Sequence, residues 1–167
     1  MAEICPDIPL VASVAGALYK EHNLDFIYAF DRKEAKAHGE GGTIVGPELA
    51  GKKVFLVDDV ITSGKAIRHT IDLLNVQRVD QITGVMVALD RAEKALVTAD
   101  NDKPESAIQS LEREYPHMHV LSIVTLNDLI LFVQEQLQEV CESDSAQKDL
   151  WAGRLASIVE YRRQYGV

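Results

Sequence analysis

Two adjacent carboxylates, Asp58 and Asp59, follow the apolar run at residues 54–57 and lead into a turn that contains hydroxyl groups and a glycine. Apolar side chains then recur at helical spacing, so the segment is predicted to be a strand, an acidic pair, a turn and a helix. In an open α/β sheet, ligands bind where strands end and helices begin. Because a buried charge must find partners, the acidic pair is a candidate for binding vicinal hydroxyl groups or a cation.

The turn after the acidic pair consists of Thr62, Ser63, Gly64, Lys65 and Ala66. The free N–H groups and partial positive charge of a helix N-terminus bind anions, and two hydroxyl groups lie beside them here. The acidic pair cannot hold that anion, so the two halves of the segment together suggest a sugar phosphate. A plain strand cap remains the alternative for the acidic pair. A Walker nucleotide site is excluded, because the turn does not fit the Walker A pattern.

A basic cluster lies earlier in the chain, where Arg32, Lys33, Lys36 and His38 fall within seven positions of a chain whose net charge is -9. Glycines follow at positions 39, 41 and 42 and predict a mobile loop. Such a loop suits stabilisation of a highly charged leaving group and exclusion of water. On spacing alone, however, a solvated surface loop is the more common outcome for a run of charges.

Three segments carry a resemblance to a known family. Residues 54–64 resemble the phosphoribosyl diphosphate signature of the type I phosphoribosyltransferases. Residues 28–42 resemble the flexible catalytic loop of the orotate phosphoribosyltransferases, and residues 87–91 resemble the strand end where that family has its orotate-binding arginine. The segments occur in the expected order and spacing, and the resemblance runs from about Asp7 to the C-terminus.

The resemblance implies a role for each candidate residue. Asp58 and Asp59 would hydrogen-bond the ribose hydroxyl groups, and the turn at residues 62–66 would hold the 5-phosphate. Lys36 would be the main catalytic cation. The remaining basic residues of the cluster, Arg32, Lys33 and His38, would bind diphosphate.

Arg91 is implied to bind the carboxylate of orotate, for which a planar guanidinium is suited. The alternative is an exposed arginine that pairs with Asp90 or Glu93. Lys65 departs from the family pattern, which has threonine at this position. A solvated lysine in the first turn of the helix is therefore the alternative to a phosphate ligand at residue 65.

The resemblance also implies a cofactor and partners. Magnesium ion (Mg2+) would be bound to the diphosphate, with no cage of protein ligands. The substrates would be orotate and phosphoribosyl diphosphate, and a homodimer would share the loop at residues 31–43 between subunits. Residues 1–167 are predicted to form a single phosphoribosyltransferase core domain without the N-terminal hood and first core strand of the family. Pro6 stands where the family has a lysine.

The predicted fold class is α/β: a type I phosphoribosyltransferase-like, Rossmann-like, mostly parallel sheet flanked by helices and truncated at the N-terminus. Predicted helices cover 9–20, the residues after the turn at 62–66 as far as about 75, 106–114, 125–140 and 152–165. Predicted strands cover 26–30, 54–57, 82–89 and 120–124. Residues 142–148 are predicted to be a turn. The acidic charge argues against nucleic acid or an anionic membrane as a partner, and no apolar run approaches the roughly 20 residues of a membrane span. The two distant cysteines, Cys5 and Cys141, favour a cytoplasmic location.

Three functions follow from these features. The first is orotate phosphoribosyltransferase activity in pyrimidine (UMP) biosynthesis. The second is a non-catalytic module that binds phosphoribosyl diphosphate or a nucleotide, or an inactive truncated paralogue. The substitution at Pro6 and the predicted loss of the hood favour this second function, whereas the basic loop argues against it. The third is a phosphoribosyltransferase for another base, which Arg91 disfavours.

Overall fold

A computed structural model describes residues 2–5, 8–31, 44–95, 104–140 and 144–167. The strands of this part of the chain are β1 (Ala2–Cys5), β2 (Ile27–Asp31), β3 (Ile44–Val45), β4 (Lys53–Ile61), β5 (Gln81–Asp90) and β6 (His119–Thr125). Its helices are α1 (Ile8–His22), α2 (Lys65–Val76), α3 (Ala107–Glu114), α4 (Leu126–Glu139) and α5 (Ser145–Tyr165).

The strands form one sheet in the order β3-β2-β1-β4-β5-β6. Every neighbouring pair is parallel except β2 and β3, which are antiparallel. The chain builds outward from β1 first through β2 and then, on the other side, through β4. The carboxyl ends of β1 and β4 therefore meet at a topological switch point, which is where open α/β sheets bind ligands. The predicted α/β class with a mostly parallel sheet is confirmed.

The central position of β1 corrects one prediction. From the resemblance, the first core strand is predicted to be missing. Instead, Ala2–Cys5 fill the sheet between β2 and β4, with Ala2 opposite both Ile27 and Val54. Four residues are too few for periodicity to reveal a strand, but this strand gains ladder hydrogen bonds from both neighbours. The prediction about the N-terminal hood stays a prediction.

Helices cover both faces of the sheet. Alternate residues of β4 point to opposite faces, so Val54 and Leu56 join a core with α2 and α3, whereas Val57 packs with α1. In the larger core, Leu74 and Leu111 are fully buried. Each such leucine stabilises the fold by about 1.5–3 kcal/mol relative to an exposed side chain. This packing fixes α2, which follows the acidic pair, against the sheet.

Two element boundaries differ from the predictions. The strand β4 continues to Ile61 and so includes both carboxylates, whereas the predicted strand ends at residue 57. The helix α5 begins at Ser145, so the predicted turn at 142–148 is wrong from this residue onward. The carboxylate of Asp144 accepts the N–H of Gln147 at 3.0 Å and caps the helix, which extends it by a polar turn that apolar periodicity does not reveal. The helix predicted at 125–140 is present as α4, and a capping box of Thr125 and Asp128 marks its start.

Among the described residues, no helix is both long enough and apolar enough to cross a membrane.

Candidate functional site

The two carboxylates at the carboxyl end of β4 have different environments. Asp58 is 7% exposed, and its Oδ1 accepts the N–H of Asp59 at 2.9 Å. Asp59 is exposed, and its Oδ1 accepts the N–H of Val60 at 2.6 Å. These bonds to the backbone fit the strand-cap alternative as well as a ligand site. The carboxylate of Asp59 is therefore open to solvent at the sheet edge, whereas that of Asp58 is largely buried.

The turn after β4 requires glycine at position 64. Gly64 has φ +75° and is the N-cap of α2, with no side-chain hydrogen bond to cap the helix. A Cβ at this position would lie 2.6 Å from Nη1 of Arg68. The first N–H groups of α2 thus lack a side-chain cap, and a helix N-terminus in this condition is suited to binding an anion.

Lys65 and Ala66 form the exposed first turn of α2. The exposure of Lys65 matches the alternative of a solvated lysine in the first turn, and this side chain does not fill the space inside the turn. The backbone N–H groups of these residues remain available to an anion, so the substitution of threonine by Lys65 leaves the backbone part of the predicted phosphate site in place.

Arg68 ties the turn to α3, and sequence reasoning did not select it. Its Nη1 donates to the carbonyl of Ser63 at 3.1 Å. Its Nε and Nη2 donate to the two carboxylate oxygens of Glu114, each at 2.9 Å, and Nη2 also donates to Oγ of the fully buried Ser110. The hydrogen bond and charge of Glu114 raise the pKa of Arg68, and those of Arg68 lower the pKa of Glu114, so the pair is ionised.

Arg91 lies beside the acidic strand end. Its backbone N–H donates to the carbonyl of Ile61 at 3.3 Å, which joins the carboxyl ends of β5 and β4. Its Nε is 3.2 Å from the carboxylate of Glu93, and the guanidinium lies 4.6 Å from the ring centroid of Tyr161. The structure thus contains the alternative pairing with Glu93. A role in binding orotate stays a prediction for a side chain that is 35% exposed.

The C-terminal helix takes part in this arrangement. The hydroxyl of Tyr161 donates to the same carboxylate of Glu93. Burial, followed by this hydrogen bond, raises the pKa of Tyr161 to about 12. The N–H of Lys94 also donates to the carbonyl of Tyr165 at 3.0 Å, so the end of α5 is fixed against the segment that follows β5.

The basic cluster of Arg32, Lys33, Lys36 and His38 lies outside the described residues. The two ends of its segment are nevertheless held together, because Asp31 of β2 pairs with Ile44 of β3. This pairing returns the chain to the same sheet edge.

Asp31, the last described residue before the basic cluster, has an unusual environment. Its Oδ1 is buried without a hydrogen-bond partner among the described residues. Its Oδ2 lies 3.9 Å from Nε2 of His69, on the helix α2 that begins at the turn. Asp31, which precedes the segment with the basic cluster, thus lies beside α2, the helix of the predicted phosphate site.

The acidic pair fits a magnesium ion that is bound together with a phosphorylated ligand. No group of three or more His, Cys, Asp or Glu side chains in this part of the chain is arranged to hold a metal ion. Asp58 and Asp59 offer carboxylate oxygens, which Mg²⁺ prefers, and one or two carboxylates together with substrate phosphates are its usual ligands.

The structure therefore brings the acidic pair, the turn at 62–66 and Arg91 to one sheet edge. Sequence reasoning named Glu93 only as an alternative partner of Arg91, and it missed the other residues that hold this edge: Arg68, Ser110, Glu114 and Tyr161. One signal was available for Arg68, because it stands one helical turn after Gly64 and beside the apolar face of α2. The contacts of Arg68 with Glu114 and of Arg91 with Tyr161 join residues that are 46 and 70 positions apart, and no local pattern links them.

The chain is similar to known proteins in sequence and in fold. The family model described as the phosphoribosyl transferase domain matches residues 8–119. The chain is 44% identical to the orotate phosphoribosyltransferase of Colwellia psychrerythraea over 96% of this chain and 66% of the relative. It is 45% identical to that of Yersinia enterocolitica over 96% of this chain and 65% of the relative. The chain thus spans about two thirds of the length of the curated relatives that it matches.

A solved structure gives the same result. The crystal structure of the orotate phosphoribosyltransferase of Francisella tularensis superposes with a TM-score of 0.68 and 31% sequence identity. The match covers 99% of this chain and 70% of the solved one. The family model matches well over half of the sequence, and the similarity to this structure extends over almost the whole chain. The chain therefore belongs to the phosphoribosyl transferase domain family, and within it to the orotate phosphoribosyltransferases.

Proposed function

We propose that this protein catalyses the reaction of orotate with 5-phosphoribosyl diphosphate to give orotidine 5-monophosphate and diphosphate. The C1–O bond to diphosphate breaks, N1 of orotate bonds to C1 with inversion, and the proton of N1 is released. The observation that carries the proposal is the juxtaposition of an acidic strand end with an uncapped helix N-terminus at the switch point between β1 and β4. The names of the similar proteins support the choice of reaction.

The two parts of this edge suit the two parts of a ribose phosphate. The carboxylates of Asp58 and Asp59 are acceptors for the ribose 2- and 3-hydroxyl groups. The turn at 62–66 offers backbone N–H groups and the positive end of the α2 dipole to the 5-phosphate. An acceptor pair next to a donor turn would hold the sugar phosphate by both of its parts and so orient it.

The departure of diphosphate needs positive charge. Lys36 is the proposed catalytic cation, with Arg32, Lys33 and His38 as diphosphate ligands. When magnesium is bound to the diphosphate, it neutralises part of the developing charge. Stabilisation of this kind is the largest single contribution in many enzymes, because the groups are already oriented when the charge develops. Closure of the loop would also exclude water from the sugar cation.

Arg91 is the proposed ligand of the orotate carboxylate. Its backbone is held beside β4, and its side chain keeps a partly exposed guanidinium at the site. A bidentate pair with a carboxylate would distinguish orotate from uracil, which lacks this group. Glu93 would then share the guanidinium with the substrate.

Three further predictions accompany the proposal. We propose a homodimer that shares the loop at 31–43 between subunits, a single core domain spanning residues 1–167, and a cytoplasmic reaction. The first rests on the resemblance described above. The last rests on the spacing of Cys5 and Cys141.

Product analysis tests the proposal. The purified chain is incubated with phosphoribosyl diphosphate, magnesium and either orotate or uracil, and nucleotides are separated by chromatography. We expect orotidine 5-monophosphate from orotate and no nucleotide from uracil. Arg91→Ala is expected to lose orotate use, whereas Arg163→Ala, which removes an exposed arginine paired with Glu160, serves as the control. Equal use of both bases, or unchanged orotate use by Arg91→Ala, would contradict the assignment of the base.

A further inference from the structure

We propose that Arg68 is a positioning residue for the phosphate turn: it fixes the Ser63–Gly64 peptide so that the N–H of Gly64 faces the sugar phosphate. This inference rests on the proposed function of the turn. It assigns a role to a side chain that does not itself contact the ligand.

The Ser63–Gly64 peptide group has a fixed orientation in the turn. In a trans peptide, the carbonyl of one residue and the N–H of the next point in opposite directions, and no described peptide bond is cis. The carbonyl of Ser63 is bound at 3.1 Å by Nη1 of Arg68. The N–H of Gly64 in the same peptide is therefore directed away from Arg68.

The guanidinium is itself held rigidly. Glu114 accepts two hydrogen bonds from it in the bidentate geometry that restricts an arginine most. The Oγ of Ser110 accepts a third at 2.9 Å and in turn donates to Glu114 at 2.9 Å. The side chains of Arg68 and Glu114 are only 17% and 22% exposed, so water competes weakly for these groups. The turn is thus anchored to α3 through one fork of hydrogen bonds.

Arg68 also binds the turn through its backbone. Its N–H donates to the carbonyl of Gly64 at 3.1 Å, the first hydrogen bond of α2. The guanidinium occupies the place where a side chain at residue 64 would project. One residue therefore fixes both peptide groups of Gly64, and its loss would free the Ser63–Gly64 peptide to rotate.

Binding of ribose 5-phosphate, measured by titration calorimetry, tests the role of Arg68. We expect Arg68→Gln to raise the Kd about ten- to a hundredfold, the effect of losing one hydrogen bond to a charged group. Arg68→Lys should give an intermediate value, since an ammonium cannot reproduce the fork. Arg163→Gln breaks an exposed ion pair on α5 and is expected to bind as the wild type does. In kinetics, the KM for phosphoribosyl diphosphate should rise while the KM for orotate stays constant.

Two results would overturn the inference, and they are distinguishable. A folded Arg68→Gln variant with wild-type affinity would show that the turn does not depend on Arg68, while the proposed function would stand. A wild-type chain that does not bind ribose 5-phosphate would refute both the phosphate site and the role of Arg68. If Arg68→Gln does not fold, Glu114→Gln decides instead. This variant keeps the arginine but removes its charged anchor, so a smaller rise in Kd supports the inference and an unchanged Kd overturns it.

Discussion

Replacing Gly64 by alanine changes two features of the phosphate turn at once. The residue has φ +75°, in the left-handed region, which costs a non-glycine residue about 1–2 kcal/mol. The new Cβ would also lie 2.6 Å from Nη1 of Arg68. This atom must move, and its hydrogen bond to Ser63 would be lost at a cost of about 1.5–3 kcal/mol. We therefore expect Gly64→Ala to lower the free energy of unfolding by about 2.5–5 kcal/mol.

Two other glycines separate these contributions. Gly51 has φ +68° but open space around its Cβ position, so Gly51→Ala should cost only the backbone term of about 1–2 kcal/mol. Gly153 lies within α5, also with open space. Gly153→Ala should gain up to about 1 kcal/mol from helix propensity. The three variants therefore form a series: Gly153→Ala adds neither cost, Gly51→Ala adds backbone strain, and Gly64→Ala adds both backbone strain and the close contact with Arg68.

Urea unfolding followed by circular dichroism measures all three variants. The expected order of stability is Gly153→Ala, then wild type, then Gly51→Ala, then Gly64→Ala. If Gly64→Ala costs no more than Gly51→Ala, Arg68 does not occupy the space beside the turn and the reasoning is refuted. If both behave like Gly153→Ala, the left-handed backbone at these turns is also refuted.

The remaining predictions concern charged and titratable groups. Because Arg68 lowers the pKa of Glu114 below its ordinary value of 4.5, this pair should stabilise the fold above pH 4.5 and lose that effect as the pH falls further. In urea unfolding at a series of acidic pH values, the free energy of unfolding should therefore fall less steeply for Glu114→Gln than for the wild type. An unchanged pH profile would contradict the pairing. The raised pKa of Tyr161 predicts a tyrosinate absorbance step near pH 12 that Tyr161→Phe removes, and a wild-type chain without this step would contradict the burial. If Tyr161 and Glu93 orient Arg91 for orotate, Tyr161→Phe should raise the KM for orotate several-fold, and an equal rise in the KM for phosphoribosyl diphosphate would argue against this local role.

Local pattern was sufficient to predict the elements of the site. The apolar run before Asp58 and the spacing after Gly64 indicate the strand and the helix, because both depend on residues close in sequence. The capping box at Thr125 is equally local, and it marks the start of α4. The strand β1 was missed because its stability comes from pairing with two distant strands rather than from its own four residues.

The supporting contacts were not predictable in this way. The position of Arg68 one helical turn after Gly64 gives no hint of its partner, and only the packing of α3 on α2 brings Glu114 to it. Likewise, Arg91 meets Tyr161 because the C-terminal helix returns to the end of β5. The alternatives left open for Arg91 and Lys65 depended on side-chain direction, which is set by tertiary packing.

Orotate consumption by the purified chain, with phosphoribosyl diphosphate and magnesium, tests the central claim most directly when wild type and Lys36→Ala are compared. Lys53→Ala removes an exposed lysine at the start of β4 and is the matched control. We predict turnover by the wild type, a loss of about 100- to 1000-fold in kcat for Lys36→Ala, and an unchanged rate for Lys53→Ala. A folded wild-type chain without turnover, or a Lys36→Ala variant with the wild-type rate, would contradict the account.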